Sequence, residues 1–357
     1  MNLQARLDRR DNNFDVLRLF AAGLVLWSHC YPLTGTPEPL AEVAGATGGE
    51  IGVIMFFAMS GFLIARSWSV DPNPAHYARK RALRLLPALV VAVFFTTFVV
   101  GPLFTSLALG DYLTDPETWF YFVRASLLVT ISGHLPGVFL DNEYPNAVNG
   151  SLWTLPVEAG CYVMIAVLGL LGIVRRSPLL LGGAALCLLA VTPLSPLSST
   201  IGDTAAGGNV PIVLQLVGTF LLGALFYALR ARLRLSWWVL GALALLWVLT
   251  WDSGWTQLTT VFLFSYGTLV LAFRTPAALR RVAAPGDVSY GVYVYAFPVQ
   301  QSLSALWGFG LAPGVMFVLA APVTYALALL SWRVIERPAL RLKSGGVPWR
   351  RRRAVAS

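Results

Sequence analysis

The chain has 357 residues, of which 57% are hydrophobic and only 12% charged, and its mean hydropathy is +0.68. A soluble domain could not hide that much apolar surface, so the composition points to an all-α, polytopic membrane bundle. The net charge of +9 would suggest a nucleic-acid partner in a soluble protein, but its placement along the chain gives a topological explanation instead.

Residues 1–13 are polar and basic, with Arg6, Arg9 and Arg10. A first span is expected from Phe14 to Tyr31, retained because no short apolar region with a small-residue cleavage site is present. Residues 32–50 are rich in Pro, Gly and acid. The second span, 51–69, has Gly49, Gly52, Ser60 and Gly61 at or near it, small residues that let neighbouring helices approach closely. A basic cluster follows, Arg79, Lys80, Arg81 and Arg84, and then a third span over 86–107.

Residues 119–132 are apolar, short and contain Arg124, which suits a re-entrant or interfacial segment as well as a crossing. A polar loop covers 133–151. Further spans are expected at 152–174, 178–194, 210–229, 236–251, 255–273, 287–307 and 312–333, before a basic tail that ends in Arg350–Arg353. This divides the chain into a cytoplasmic segment 1–13, a single membrane-embedded domain 14–342, and a basic cytoplasmic tail 343–357.

Charge decides between the two topologies. If 119–132 does not cross, the bundle has about ten spans, both termini are cytoplasmic, and every Lys and Arg except Arg124 falls on or toward the cytoplasmic side. If it crosses, that asymmetry collapses. The expectation is therefore a multi-pass inner-membrane protein whose terminal arginines face anionic lipid rather than nucleic acid.

Ionisable side chains inside such spans are expensive and mark function by default. Arg18 and His29 share the first span. Eleven residues turn a helix through about 1100°, so the two return to one face, roughly 16 Å apart along the axis. Asp15 lies three residues before Arg18, close enough to pair with it. His29 fits a general base or proton carrier because imidazole titrates near neutrality; a structural histidine bonded to a neighbouring helix is the plain alternative. Glu158, about two turns into its span, could orient His29, bind an acceptor hydroxyl or pair with a cation.

Other positions carry weaker signals. Trp153 could stack on a sugar ring or anchor the interface. Arg81 and Arg84, three apart, can present two guanidinium groups to a phosphate; plain positive-inside charge is the alternative. Cys30 points about 100° away from His29, against a Cys–His dyad. Cys30, Cys161 and Cys187 give no even-numbered disulfide framework. Tyr290, Tyr293 and Tyr295 could line a cavity or simply pack, and Glu336 with Arg337 reads as a helix-end ion pair. No P-loop, dinucleotide fingerprint or metal-ligand spacing is present.

Taken in order, the Arg-x10-His of Arg18 and His29, the segment GVIMFFAMSGFLI, the Arg81/Arg84 RxxR, NGSLWTLPVE, SYGVYVYAFPV and VIERPAL resemble the acyltransferase 3 family of integral-membrane O-acyltransferases, over about residues 12 to 342. The resemblance implies a bundle of about ten helices. It also implies transfer of an acyl group, often acetyl, from cytoplasmic acyl-CoA to a hydroxyl of an extracytoplasmic glycan, with no permanently bound cofactor. On that basis His29 is the catalytic histidine, Arg18 its motif partner and Glu158 a further catalytic candidate. Arg81 and Arg84 take the donor, and Asn149 and Trp153 lie with the acceptor. Many members carry a histidine where this chain has Ala296. The reading from another class is a glycan or lipid-linked-sugar transporter using His29 and Glu158 as a proton path.

Overall fold

The computed structural model describes residues 3–8, 11–129, 133–194, 210–283 and 286–342. Among them there is no strand, only an isolated bridge between Thr105 and Val138. The longer helices are α1 (Phe14–His29), α2 (Gly48–Val70), α3 (Pro74–Phe95), α4 (Pro116–Ser126), α5 (Thr154–Leu170), α6 (Pro178–Leu194), α7 (Val210–Ala228), α8 (Trp237–Leu249), α9 (Thr256–Arg274), α10 (Ser289–Trp307) and α11 (Pro313–Ser331).

Six helical stretches of the described residues are long and apolar enough to cross a membrane: Phe14–Thr34, Gly48–Val70, Pro74–Phe104, Val210–Ala228, Thr256–Arg274 and Pro313–Arg341. Three more are apolar but shorter, at Thr154–Leu170, Pro178–Ala190 and Trp237–Leu249. The remaining long helix, α10, is polar for a span because it sits inside the protein, burying Gln300, Gln301 and Ser304. At the other extreme, α8 buries no residue and leaves Trp238 90% exposed, as a helix bathed in lipid would.

Two boundaries differ from the sequence reading. The third span is preceded by no break: α3 starts at Pro74, where Asn73 Oδ1 accepts from the His76 N–H, so Arg81 and Arg84 lie within one helix with the apolar stretch. It then passes through a π turn, Thr96–Val100, and ends at Phe104. Residues 119–126 of the short segment 119–132 belong to the 11-residue α4, which starts earlier at Pro116 and is capped by Asp115. At about 1.5 Å per residue this helix alone is too short for the hydrocarbon core. Residues 130–132 of that segment lie outside the described residues.

Helix α2 is the organising element. It opens with a reciprocal cap, in which Thr47 Oγ1 accepts from Glu50 N–H and Glu50 accepts from Thr47 N–H. It packs on α1, α7 and α9, while α10 lies against α1 and α11. The α2–α7 approach requires glycine on both sides. A Cβ on Gly61 would lie 1.9 Å from the Phe220 carbonyl oxygen, and one on Gly223 would lie 2.2 Å from that of Ala58. In lipid, where apolar burial drives little association, such close backbone contact is what holds helices together.

Candidate active site

Three chambers follow one another along α1 and α2. An inner chamber of about 330 Å³ is lined by Arg18, Arg81, Arg84, Glu158, Asp287 and Tyr290, among others. A second, of about 600 Å³, lies at the start of α1 and shares Arg18 and Leu63 with the first. A third, of about 580 Å³, contains His29 and shares Val53, Thr154 and Tyr293 with the inner chamber.

The inner chamber is an ion-pair network drawn from distant parts of the sequence. Asp287, just before α10, meets Arg84 Nη2 at 2.5 Å and Arg18 Nη1 at 3.1 Å, and also accepts from the Ser289 hydroxyl at 2.5 Å. Arg18 reaches Asp15 at 3.4 Å, as the three-residue spacing suggested. Arg84 also faces the buried Glu336 at 3.4 Å. Glu336 therefore pairs with Arg84 across the fold. The expected helix-end pair with Arg337 is absent from the ion pairs among the described residues.

Arg81 is different. It forms no ion pair among the described residues; its guanidinium sits 5.9 Å from the ring centres of both Tyr77 and Tyr162, with Nη2 3.5 Å from Ser67 Oγ and Nε unpartnered. Charge held by aromatic faces keeps its capacity for a bidentate anion. Glu158 takes hydrogen bonds from Ser60 (2.8 Å) and Tyr162 (2.6 Å). Ser60, expected as a packing residue, is thus also a wall of the chamber.

His29 and Glu158 are not brought together. They line different chambers, and His29 Nδ1 is buried without a hydrogen-bond partner. The imidazole packs edge-on against Phe297, with centroids 5.2 Å apart. Cys30 turns away: its thiol donates to Leu26 O (3.4 Å) and meets Gln300 Nε2 at 3.0 Å. Trp153 lines the His29 chamber. Asn149 lines none of the three; its amide donates to Val294 O (2.9 Å) and its oxygen accepts from Ser151 N–H (3.2 Å), so it braces the chamber wall.

The His29 chamber also holds Glu38, Glu42 and Glu50, which the sequence did not single out. Glu38 is buried and accepts from the Ser28 hydroxyl and the Gly48 N–H, both at 2.5 Å. Between this chamber and the inner one stands a hydroxyl pair: Thr154 Oγ1 and Tyr293 OH are 2.6 Å apart, and Tyr293 also donates to Ser151 O at 2.9 Å.

The sequence profile of a family described as an acyltransferase domain matches residues 11–333. The chain belongs to this family, acyltransferase 3. The acyltransferase is 31% identical over 339 residues to a protein of Shigella phage Sf6 called O-acetyl transferase, covering 92% of this chain and 96% of that one. It is 29% identical over 380 residues to nodulation protein 10 of Rhizobium leguminosarum bv. viciae, with 97% of each covered. No solved structure matches it. In this acyltransferase the matched region contains the described walls of all three chambers except Leu340.

Proposed function

We propose that this membrane acyltransferase moves an acetyl or related acyl group from cytoplasmic acyl-CoA to a hydroxyl of an extracytoplasmic glycan. The observation that carries the reading is the row of chambers: arginines at one end, His29 at the other, and a hydroxyl neck between them. The name of the phage relative supports O-acetyl transfer. The positive-inside distribution supports about ten spans within the single domain 14–342, with both termini in the cytoplasm of the inner membrane.

Donor phosphates meet Arg81, which has no acidic partner among the described residues, with Arg84 beside it. The acyl-bearing arm passes Arg18 and the neck, a rise of roughly 16 Å to the level of His29. Neutral His29 takes the proton of the acceptor hydroxyl as its oxygen attacks the thioester carbonyl carbon. The tetrahedral adduct then expels the thiolate, which recovers the proton, leaving ester and free thiol. Glu158 holds Ser60 and Tyr162 in the donor chamber and does not act on His29 directly. Trp153 supplies a stacking wall, and Glu38, Glu42 and Glu50 offer acceptors for sugar hydroxyls.

Because His29 and Glu158 line separate chambers, the continuous proton path that a transporter would need is not supported by their placement. The test is labelled-acetyl transfer by membranes carrying wild type, His29→Gln, or Arg81→Ala/Arg84→Ala. Loss of a general base costs about 10²–10⁴-fold, so His29→Gln should be inert while still binding acetyl-CoA. The double variant should lose donor binding. Retained transfer by His29→Gln would overturn the reading.

A further inference from the structure

We infer that the chamber at the start of α1 is a binding site for the phosphorylated adenosine end of the acyl donor. This rests on the acyl-CoA reading above and assigns a ligand to a cavity that the transfer chemistry leaves unused. The chamber shares Arg18 with the inner one, on the side away from the neck. If the thioester lies near His29 and the arm spans the roughly 16 Å back to Arg18, the nucleotide has to continue past Arg18. This chamber, at about 600 Å³, is the space it meets there.

Its walls fit a polyanion. Arg66 from α2, Lys80 from α3 and Arg280 from the segment Ala277–Ala283 converge on it from three elements, joined by Arg18; Asp15, held by Arg18, is the acid on the wall. Lys80 meets Asp71 at 2.6 Å, and that hydrogen bond keeps the Asp71 carboxyl below the usual carboxylate range. Arg280 pairs with Asp11. Both pairs are partly solvent-exposed, where such attraction is weak enough for a phosphate dianion to compete. Arg66 has no acidic partner among the described residues; its Nη2 donates to the Leu7 carbonyl at 2.9 Å. Arg66 and Arg81 thus stand alike, each an arginine without a carboxylate partner among the described residues, one in each chamber.

The decisive experiment compares two donors, acetyl-CoA and acetyl-pantetheine, the second lacking phosphates and adenosine. It uses full-length protein in detergent, as wild type, Arg66→Gln and Lys80→Gln/Arg280→Gln, each checked for a monodisperse fold. Wild type should favour acetyl-CoA in kcat/KM, and each variant should shrink that preference by about ten-fold or more, the worth of one charged hydrogen bond. The shrinkage should be smaller in Arg66→Lys. A preference for acetyl-CoA that survives undiminished in every variant would overturn this site while leaving the acyl-CoA reading intact. Equal use of both donors by wild type, or transfer from neither, would overturn both.

Discussion

Arg84 and Asp287 meet at 2.5 Å across 203 residues of sequence, and the same carboxylate reaches Arg18 at 3.1 Å. One acid, placed just before α10, therefore fixes the positions of arginines on α1 and α3. Both guanidinium groups are largely shielded from solvent, so their orientation depends on this one anion more than on water.

Asp287→Ala removes that anion and leaves two cations facing each other in a confined space. The expected cost is about 3 kcal/mol, typical of breaking a shielded pair from one side, and it should appear as a lower Tm in detergent. Transfer should fall with it. Asp287→Glu, which keeps the charge, should recover more activity than Asp287→Asn.

The α2–α7 contact predicts a sharp contrast between glycines. Gly61→Ala would force its Cβ into the Phe220 carbonyl, and backbone cannot yield as a side-chain tip can. The loss should be about 3 kcal/mol or more, visible as a failure to purify as a monodisperse species. Gly23→Ala, in α1 with open space around its Cβ, should be neutral or raise stability by about 0.5–1 kcal/mol.

The neck formed by Thr154 and Tyr293 should set how large an acyl group passes. Thr154→Ala removes the methyl and hydroxyl that close it. The ratio of propionyl to acetyl transfer should then rise about four-fold, the value of one accommodated methylene. An unchanged ratio would show that selection occurs elsewhere.

Glu38 ties the loop after α1 to the first turn of α2 through Ser28 and Gly48. Glu38→Ala leaves both donors without their partner, at about 1–3 kcal/mol, and should raise the KM for acceptor more than that for donor. Glu38→Gln, which keeps an accepting oxygen, should be milder in both measurements.

Much of this was legible in the sequence because each signal was local. The Arg18–Asp15 pair follows from spacing, the small residues of α2 from their clustering, and the apolar helices from hydropathy. What stayed hidden depends on contacts between distant segments. Nothing near Asp287 announces that it serves Arg18 and Arg84, and Glu336 has Arg337 as a misleading neighbour in sequence. Glu38 sits in a Pro-rich loop that gives no hint of burial. Sequence alone leaves Glu158 free to orient His29, bind an acceptor hydroxyl or pair with a cation; its side chain enters the chamber of Arg81 and Arg84, bonded to Ser60 and Tyr162. Helix α10 is the converse: its low hydropathy comes from glutamines that face protein, not lipid.

The hydroxyl neck has a kinetic consequence. On the proposed reading Thr154 and Tyr293 divide the path rather than cap one end, so donor and acceptor would each occupy a chamber without waiting for the other to leave. Initial-rate plots against the two substrates should then give intersecting lines, the signature of a ternary complex. Parallel lines would mean that the acyl group rests on the protein between two half-reactions.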